Sequence, residues 1–206
     1  MKPGGLSDMA QEKKKFFEVE IPAINQKLKL IAYNIEQLDN RNIKFDLTRM
    51  LRGQSIEALI KVKLENNKAI GKITKLSVLG FFIRRMMRKS ISYVEDSFSA
   101  ESSDSILKIK PFLITRKKVT RAVRNALRIE AKKYLQDYAK DKETEEIFLD
   151  IINNRLQRSL SLKLKKIYPL ALCEIREIKI EKQKEGVITE KIKENITLAK
   201  PKEIET

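Results

Sequence analysis

The chain has 206 residues, 42% apolar and 35% charged, with 44 Lys and Arg against 28 Asp and Glu, for a formal charge of +16. That length suits one full-sized core, and an excess so one-sided repels itself in the compact state, which points to a polyanionic partner, either nucleic acid or an anionic membrane. There is no histidine, the commonest general base, and Cys173 is the only cysteine, so an intrachain disulfide and a thiolate metal cluster are excluded. The six glycines form neither GxGxxG nor GxxxxGK[ST], the usual phosphate loops of nucleotide enzymes. No apolar run reaches the roughly 18 residues that a bilayer requires, and no signal pattern opens the chain, so a cytosolic location is expected.

Residues 1–14 carry Pro3, Gly4, Gly5 and charges without apolar periodicity and read as a disordered arm. Short strands are expected at 16–21, 27–34, 43–47, 56–65 and 68–78. Alternation is clearest in Ile60-Lys61-Val62-Lys63-Leu64, and Asn66-Asn67 supplies a hairpin turn because Asn tolerates positive φ. A second hairpin spans 92–115, turning at Ser102-Ser103-Asp104. Three amphipathic helices are expected. The first, 79–89, sets Leu79, Phe82, Ile83, Met86 and Met87 against Arg84, Arg85 and Arg88. The second, 116–140, buries Val119, Val123, Ala126, Leu127, Tyr134 and Tyr138, with Thr115 as N-cap. The third, 145–167, buries Ile147, Phe148, Ile151, Ile152, Leu156 and Leu160 and is stopped by Pro169; its last turns also alternate, so an extended end is open to it. A last strand at 172–180 alternates imperfectly, which leaves its orientation open. Residues 181–206, with six Lys and six Glu, read as a neutral, disordered tail. The expected whole is an α+β domain over 15–180, a largely antiparallel sheet, barrel-like closure being open to it, with three basic helices.

Charge is concentrated. Residues 83–133 hold fourteen Lys and Arg against five Asp and Glu, a net of +9. Lys117, Arg121, Arg124, Arg128 and Lys132 recur at helical spacing over about 22 Å, enough to follow several phosphates, and the planar Arg fork engages two phosphate oxygens at once. The candidate RNA-binding set is Arg84, Arg85, Arg88, Lys89, Arg116, Lys117, Lys118, Arg121, Arg124, Arg128, Lys132, Lys163, Lys165 and Lys166. The competing reading is a solvated face, which usually interleaves both signs. Lys163, Lys165 and Lys166 also suit the negative end of a helix dipole, and Phe81 suits either base stacking or ordinary packing. Met86, Met87 and Cys173 read as core. The pairs Glu95-Asp96 and Glu145-Glu146 read as a strand edge and a helix first turn, so no catalytic group is nominated.

The run Leu79 to Phe98, then Lys110-Pro111-Phe112-Leu113-Ile114-Thr115-Arg116-Lys117-Lys118-Val119, resembles one family: the archaeal and eukaryotic small-subunit ribosomal proteins of the eukaryotic-type S-one, or S-three-Ae, kind. Phe45-Asp46-Leu47-Thr48-Arg49, Lys165-Lys166-Ile167-Tyr168-Pro169-Leu170 and Glu174-Ile175-Arg176 resemble further segments in the same order, so the likeness covers 15–180. It implies a mixed α and β protein on the platform of the small subunit, near the messenger exit and the 3′ end of the ribosomal RNA. Its partners would be that RNA and neighbouring platform proteins, with no cofactor, metal, membrane or small-molecule substrate. The short N-terminal arm lacks the aromatic-rich opening of longer eukaryotic members and is closer to the archaeal form. Two other classes stand against this reading. A peripheral membrane protein would use the same basic helices on anionic lipid, and a metal-dependent nuclease would gather carboxylates around Mg²⁺.

Overall fold

A computed structural model describes residues 13–51, 54–65 and 68–184. The described elements are β1 (Lys15–Ile21), β2 (Gln26–Ala32), β3 (Asn42–Asp46), β4 (Ile56–Glu65), β5 (Lys68–Val78), α1 (Gly80–Met86), β6 (Tyr93–Glu95), β7 (Phe98–Glu101), β8 (Ser105–Thr115), α2 (Arg121–Lys140), α3 (Thr144–Ile152), α4 (Arg155–Leu164) and β9 (Leu170–Gln183). The α+β class and the mostly antiparallel pairing are as expected. Barrel closure is not. Strand order runs β2-β1-β5-β9-β8-β6, with β2 and β6 left at the ends. Four helices replace the expected three among the described residues. The chain divides into two units, 1–44 with 59–73 and 45–58 with 74–206.

In the first unit β1 and β2 form an antiparallel ladder from Lys15↔Ala32 to Ile21↔Gln26. Pro22 opens the 3-10 turn Pro22–Ile24 between them, and Asn25 closes it at φ 53, a left-handed conformation that Asn accepts. β1 also pairs parallel with β5, Val19 facing Ala69. Buried Val19, Ala32, Leu38, Val62 and Ala69 form the core, flanked by Phe17, Leu30, Ile35, Ile43 and Leu64. Gly71 is required by close packing. A Cβ there would lie 2.7 Å from Ile60 Cγ2 and 3.1 Å from Ile21 Cγ1. The five early strands fall within two residues of expectation, whereas the Asn66-Asn67 turn lies outside the described residues.

β8 is the spine of the second unit. It pairs with β9 from Ser105↔Gln183 to Thr115↔Leu170, and carries β7 and β6 on its other edge. Three register shifts interrupt the long ladder, one of them where Lys110↔Glu177 gives way to Pro111↔Ile175 and leaves Arg176 as an extra residue. That bulge reverses the parity of β9, so Ile175 and Ile178, three apart, are both buried. The imperfect alternation read at 172–180 has this cause. β9 runs from Leu170 to Gln183, longer at both ends than the strand expected at 172–180; of the expected tail, the part from 185 lies outside the described residues, as do 1–12 of the expected arm.

Helix boundaries differ for local reasons. α2 starts at Arg121 rather than 116, because Thr115 ends β8 fully buried and is tied to Ser92, leaving no N-cap role for it. Its buried stripe is Leu127, Ala131, Leu135 and Ala139, not the expected Tyr134, Tyr138 and Ala126. Two alanines permit close approach to β7 and α4. The third expected helix breaks into α3 and α4 at Asn153 and Asn154, the latter at φ 61. The break keeps Ile147, Phe148, Ile151, Ile152, Leu156 and Leu160 buried as expected, and Leu164 with them, so the last turns are helical rather than extended. Asp150 braces the α2–α3 corner by accepting hydrogen bonds from Tyr138 and Lys142.

Candidate nucleic-acid interface

Three basic segments of the second unit meet at one end of its sheet, and strand register places them there. Tyr93, first in β6, pairs with Ile114, and Leu170, first in β9, pairs with Thr115, last in β8. The loops that enter β6, leave β8 and enter β9 are therefore neighbours. They carry Arg88 and Lys89, then Arg116, Lys117 and Lys118, then Lys165 and Lys166. A clasp holds the first two loops together: the Thr115 hydroxyl lies 2.8 Å from Ser92 O and 2.7 Å from Lys117 O, and Val119 N donates to Ser92 Oγ at 3.2 Å. Burying this hydroxyl with its partners satisfied fixes the loops without spending any basic side chain.

The helices add to this end. Arg84 and Arg85 are exposed on α1, and Arg85 lies 5.5 Å from the Phe82 ring centroid. Arg88 and Lys89 lie beyond α1, not on its face, because the chain leaves the helix at Met87 with ψ 115. Met87 is accordingly 44% exposed, against its expected place in the core. On α2, Arg121 and Arg128 are exposed, whereas Lys132, about 17 Å along the axis from Arg121, lies 5.9 Å from the ring centroid of Phe98, which pairs with Ile109 away from that end. Lys117 precedes the helix and extends the row from the loop. Arg124 departs from the row. It is half-buried, and its Nε is enclosed without a hydrogen-bond partner, because the apolar stripe, stepping by four residues, drifts towards its side. Phe81 and Tyr93 stand half-exposed among these cations, Tyr93 leaning on Phe112 at 6.3 Å between ring centroids.

Lys163 behaves differently from Lys165 and Lys166. Its ammonium lies 3.4 Å from Glu130 and 4.8 Å from the Tyr134 centroid, so it ties α4 to α2. Lys165 and Lys166 follow the helix end and are exposed, with no carboxylate in ion-pair contact among the described residues. Arg116, Lys117, Lys118, Arg121 and Arg128 share that state. On the central strands cations are matched: Glu177 lies between Lys110 and Lys75, at 2.6 and 2.9 Å, and these ammoniums hold its pKa down at about 2. Burial pushes the Cys173 thiol up to about 12, which disfavours its thiolate form. Among the described residues no group of three or more carboxylates or thiols is placed to hold a metal ion, and no helix is long and apolar enough to cross a membrane. Exposed Arg158 on α4 is a cation outside the sequence-predicted set.

A model of the Ribosomal S3Ae family matches residues 8–184. The small ribosomal subunit protein eS1 of Nanoarchaeum equitans is 24% identical over 185 residues, covering 86% of this chain and 93% of that protein. The proteins of the same name from Saccharolobus islandicus and Pyrobaculum islandicum are 22% and 27% identical, over 89% and 81% of this chain and 92% and 73% of their own lengths. The family suggested by the motifs at 79–98 and 110–119 is the one found. With a single family model spanning all but the two ends of its sequence, the chain belongs to the Ribosomal S3Ae family.

Proposed function

We propose that this protein is a structural constituent of the small ribosomal subunit, seated against ribosomal RNA on the platform near the messenger exit. Membership of a ribosomal, non-enzymatic family and relatives named for the small subunit support a role in translation within the cytoplasmic ribosome. The observation that carries the RNA contact is the convergence of 84–89, 116–128 and 165–166 towards one end of the sheet, where exposed cations lack carboxylate partners among the described residues. Such a surface repels itself until a polyanion neutralises it. Neighbouring platform proteins are its other partners in this reading. Lys163 is removed from the contact set because Glu130 and Tyr134 occupy it.

Ultraviolet crosslinking of assembled small subunits, with mapping of the joined peptides and nucleotides, tests the proposal. Peptides containing 84–89, 116–128 and 165–166 are expected to carry ribosomal RNA nucleotides from the platform. Crosslinks confined to other faces of the protein, with these segments open to solvent, would overturn it.

A further inference from the structure

A cleft lies beside the basic segments. It has a volume of about 590 Å³ and is lined by Gln54, by Asn154, Gln157, Arg158, Ser161 and Leu162 of the α4 region, and by β9 up to Glu174, within the roughly 300–1,000 Å³ of small-molecule sites. Gln54 and Gln157 are only 7% and 4% exposed. Their amide nitrogens all point at one another's surroundings: Gln54 Nε2 donates to Asn154 Oδ1 and lies 3.2 and 3.3 Å from the two Glu174 oxygens, while Gln157 Nε2 donates to Ile151 O at 3.0 Å and lies 3.5 Å from Glu174 Oε2. Both amide oxygens are left buried without a partner. Flipping either amide would set its oxygen against the Glu174 carboxylate, so these orientations are fixed by repulsion.

The cleft therefore holds more acceptors than donors. Beside two enclosed, orphaned carbonyls, a carboxylate whose pKa burial pushes up is costly until further donors arrive. A flat group with adjacent N–H donors completes it. The place of the cleft says what brings that group: Leu172 pairs with Ile114, one residue before Thr115 and the Arg116–Lys118 loop, and Lys165 follows Leu164 at the end of α4. Among the four bases, guanine alone presents two adjacent donors, N1–H and the N2 amine, on its Watson–Crick edge; uracil presents one between two carbonyls, and adenine and cytosine mix donor and acceptor. Leu162, 70% exposed at the rim, offers apolar surface to the base, and exposed Arg158 offers a fork to its phosphate.

We propose that this cleft receives the Watson–Crick edge of one unpaired guanine of the RNA lying on the basic segments, the Glu174 carboxylate accepting from its N1–H and N2 amine. The proposal rests on the RNA-seating reading above and adds base selectivity to it.

The full chain is titrated with fluorescent heptanucleotides by anisotropy at about 50 mM salt, where phosphate contacts are strong. UUUGUUU is expected to bind about tenfold tighter than UUUUUUU, the size of one good bidentate base contact, with inosine in place of guanosine falling between. Glu174→Gln, nearly isosteric, and Ser161→Trp, which adds bulk to the cleft lining, should each bring the two RNAs within twofold of one another while leaving UUUUUUU binding unchanged. Arg116→Glu with Arg121→Glu should weaken both RNAs together and preserve their ratio. Equal affinity of the unsubstituted protein for both RNAs would overturn the guanine site, and is the result expected if an arginine of a neighbouring protein is the true occupant. Failure to bind either RNA would overturn the seating reading and the site with it.

Discussion

The lysines of the central strands and the arginines at the end of the same sheet carry like charge and spend it in opposite ways. Lys75, Lys108 and Lys110 of β5 and β8 reach across to Glu177 and Glu181 of β9 at 2.6 to 3.3 Å. Arg116, Arg121 and Arg128, one loop and one helix away, have no such partner among the described residues. A cation opposite a carboxylate on the adjacent strand serves pairing, because cross-strand ion pairs favour one register. An unmatched row costs self-repulsion in the free protein and recovers it only against a partner. The excess charge of the whole chain is thus a poor guide to the site; the local absence of carboxylates is the better one.

The largest effect expected from this contrast comes from reversing the unmatched row. Arg116→Glu, Arg121→Glu and Arg128→Glu together should lower affinity for duplex RNA by about a hundredfold or more at low salt, and reduce the slope of log affinity against log salt by about 2.7, three contacts at roughly 0.9 each. Thermal stability should hold or rise slightly, since repulsion is relieved. Arg124 is left unchanged because its guanidinium is half-buried. The same three reversals should exclude the protein from small subunits in sedimentation. An unchanged salt slope would erase the distinction between the two regions.

How much of this was legible beforehand follows from what each signal depends on. Strand alternation at 56–65 and the apolar stripe at 147–160 depend on local periodicity, and both were read correctly. The break at Asn153 and Asn154 left that stripe intact and so was invisible to it. The stripe of α2 escapes the pattern because Ala131 and Ala139 carry little hydrophobic signal, while Tyr134 and Tyr138 carry much and stay half-buried, Tyr138 donating its hydroxyl to Asp150. The basic residues were found by count, but their meeting is set by β6, β8 and β9 register and by the Ser92–Thr115 clasp, which no single-segment pattern encodes. The Gln54–Gln157–Glu174 cleft joins residues more than a hundred positions apart and left no local trace.

The matched region should respond to acid rather than to RNA. Glu177 has its folded pKa lowered to about 2 from an ordinary 4.5, chiefly by the hydrogen bond from Lys110. A carboxylate depressed on folding contributes stability above its unfolded pKa and loses it as pH falls through the folded one, so the contribution is complete above about pH 5 and fades towards pH 2. Urea titrations over that window should show the unsubstituted protein losing about 2 kcal/mol more than Glu177→Gln, whose neutral amide has no charge to lose. RNA affinity at neutral pH should be the same for both. Parallel pH profiles would mean that the Lys75–Glu177–Lys110 cluster does not hold the strands.

Lys163 and Lys165, two residues apart, bring the comparison to its finest scale. Lys163 belongs with the matched cations: its pair with Glu130 is about one-third exposed and lies against Tyr134. Lys163→Ala should therefore cost about 0.5 kcal/mol of stability, the scale of a partly exposed pair, and leave the RNA salt slope where it was. Lys165→Ala should do the reverse, leaving the urea midpoint unchanged and lowering the slope by about 0.9, one phosphate contact. The two lysines are equivalent as a charge cluster at a helix end, and a helix-dipole role alone would give both variants the same small loss of stability. Opposite responses in the two assays assign each lysine to its region; a matching pair of responses would dissolve the boundary between fold-holding and RNA-holding charge at this corner of the molecule.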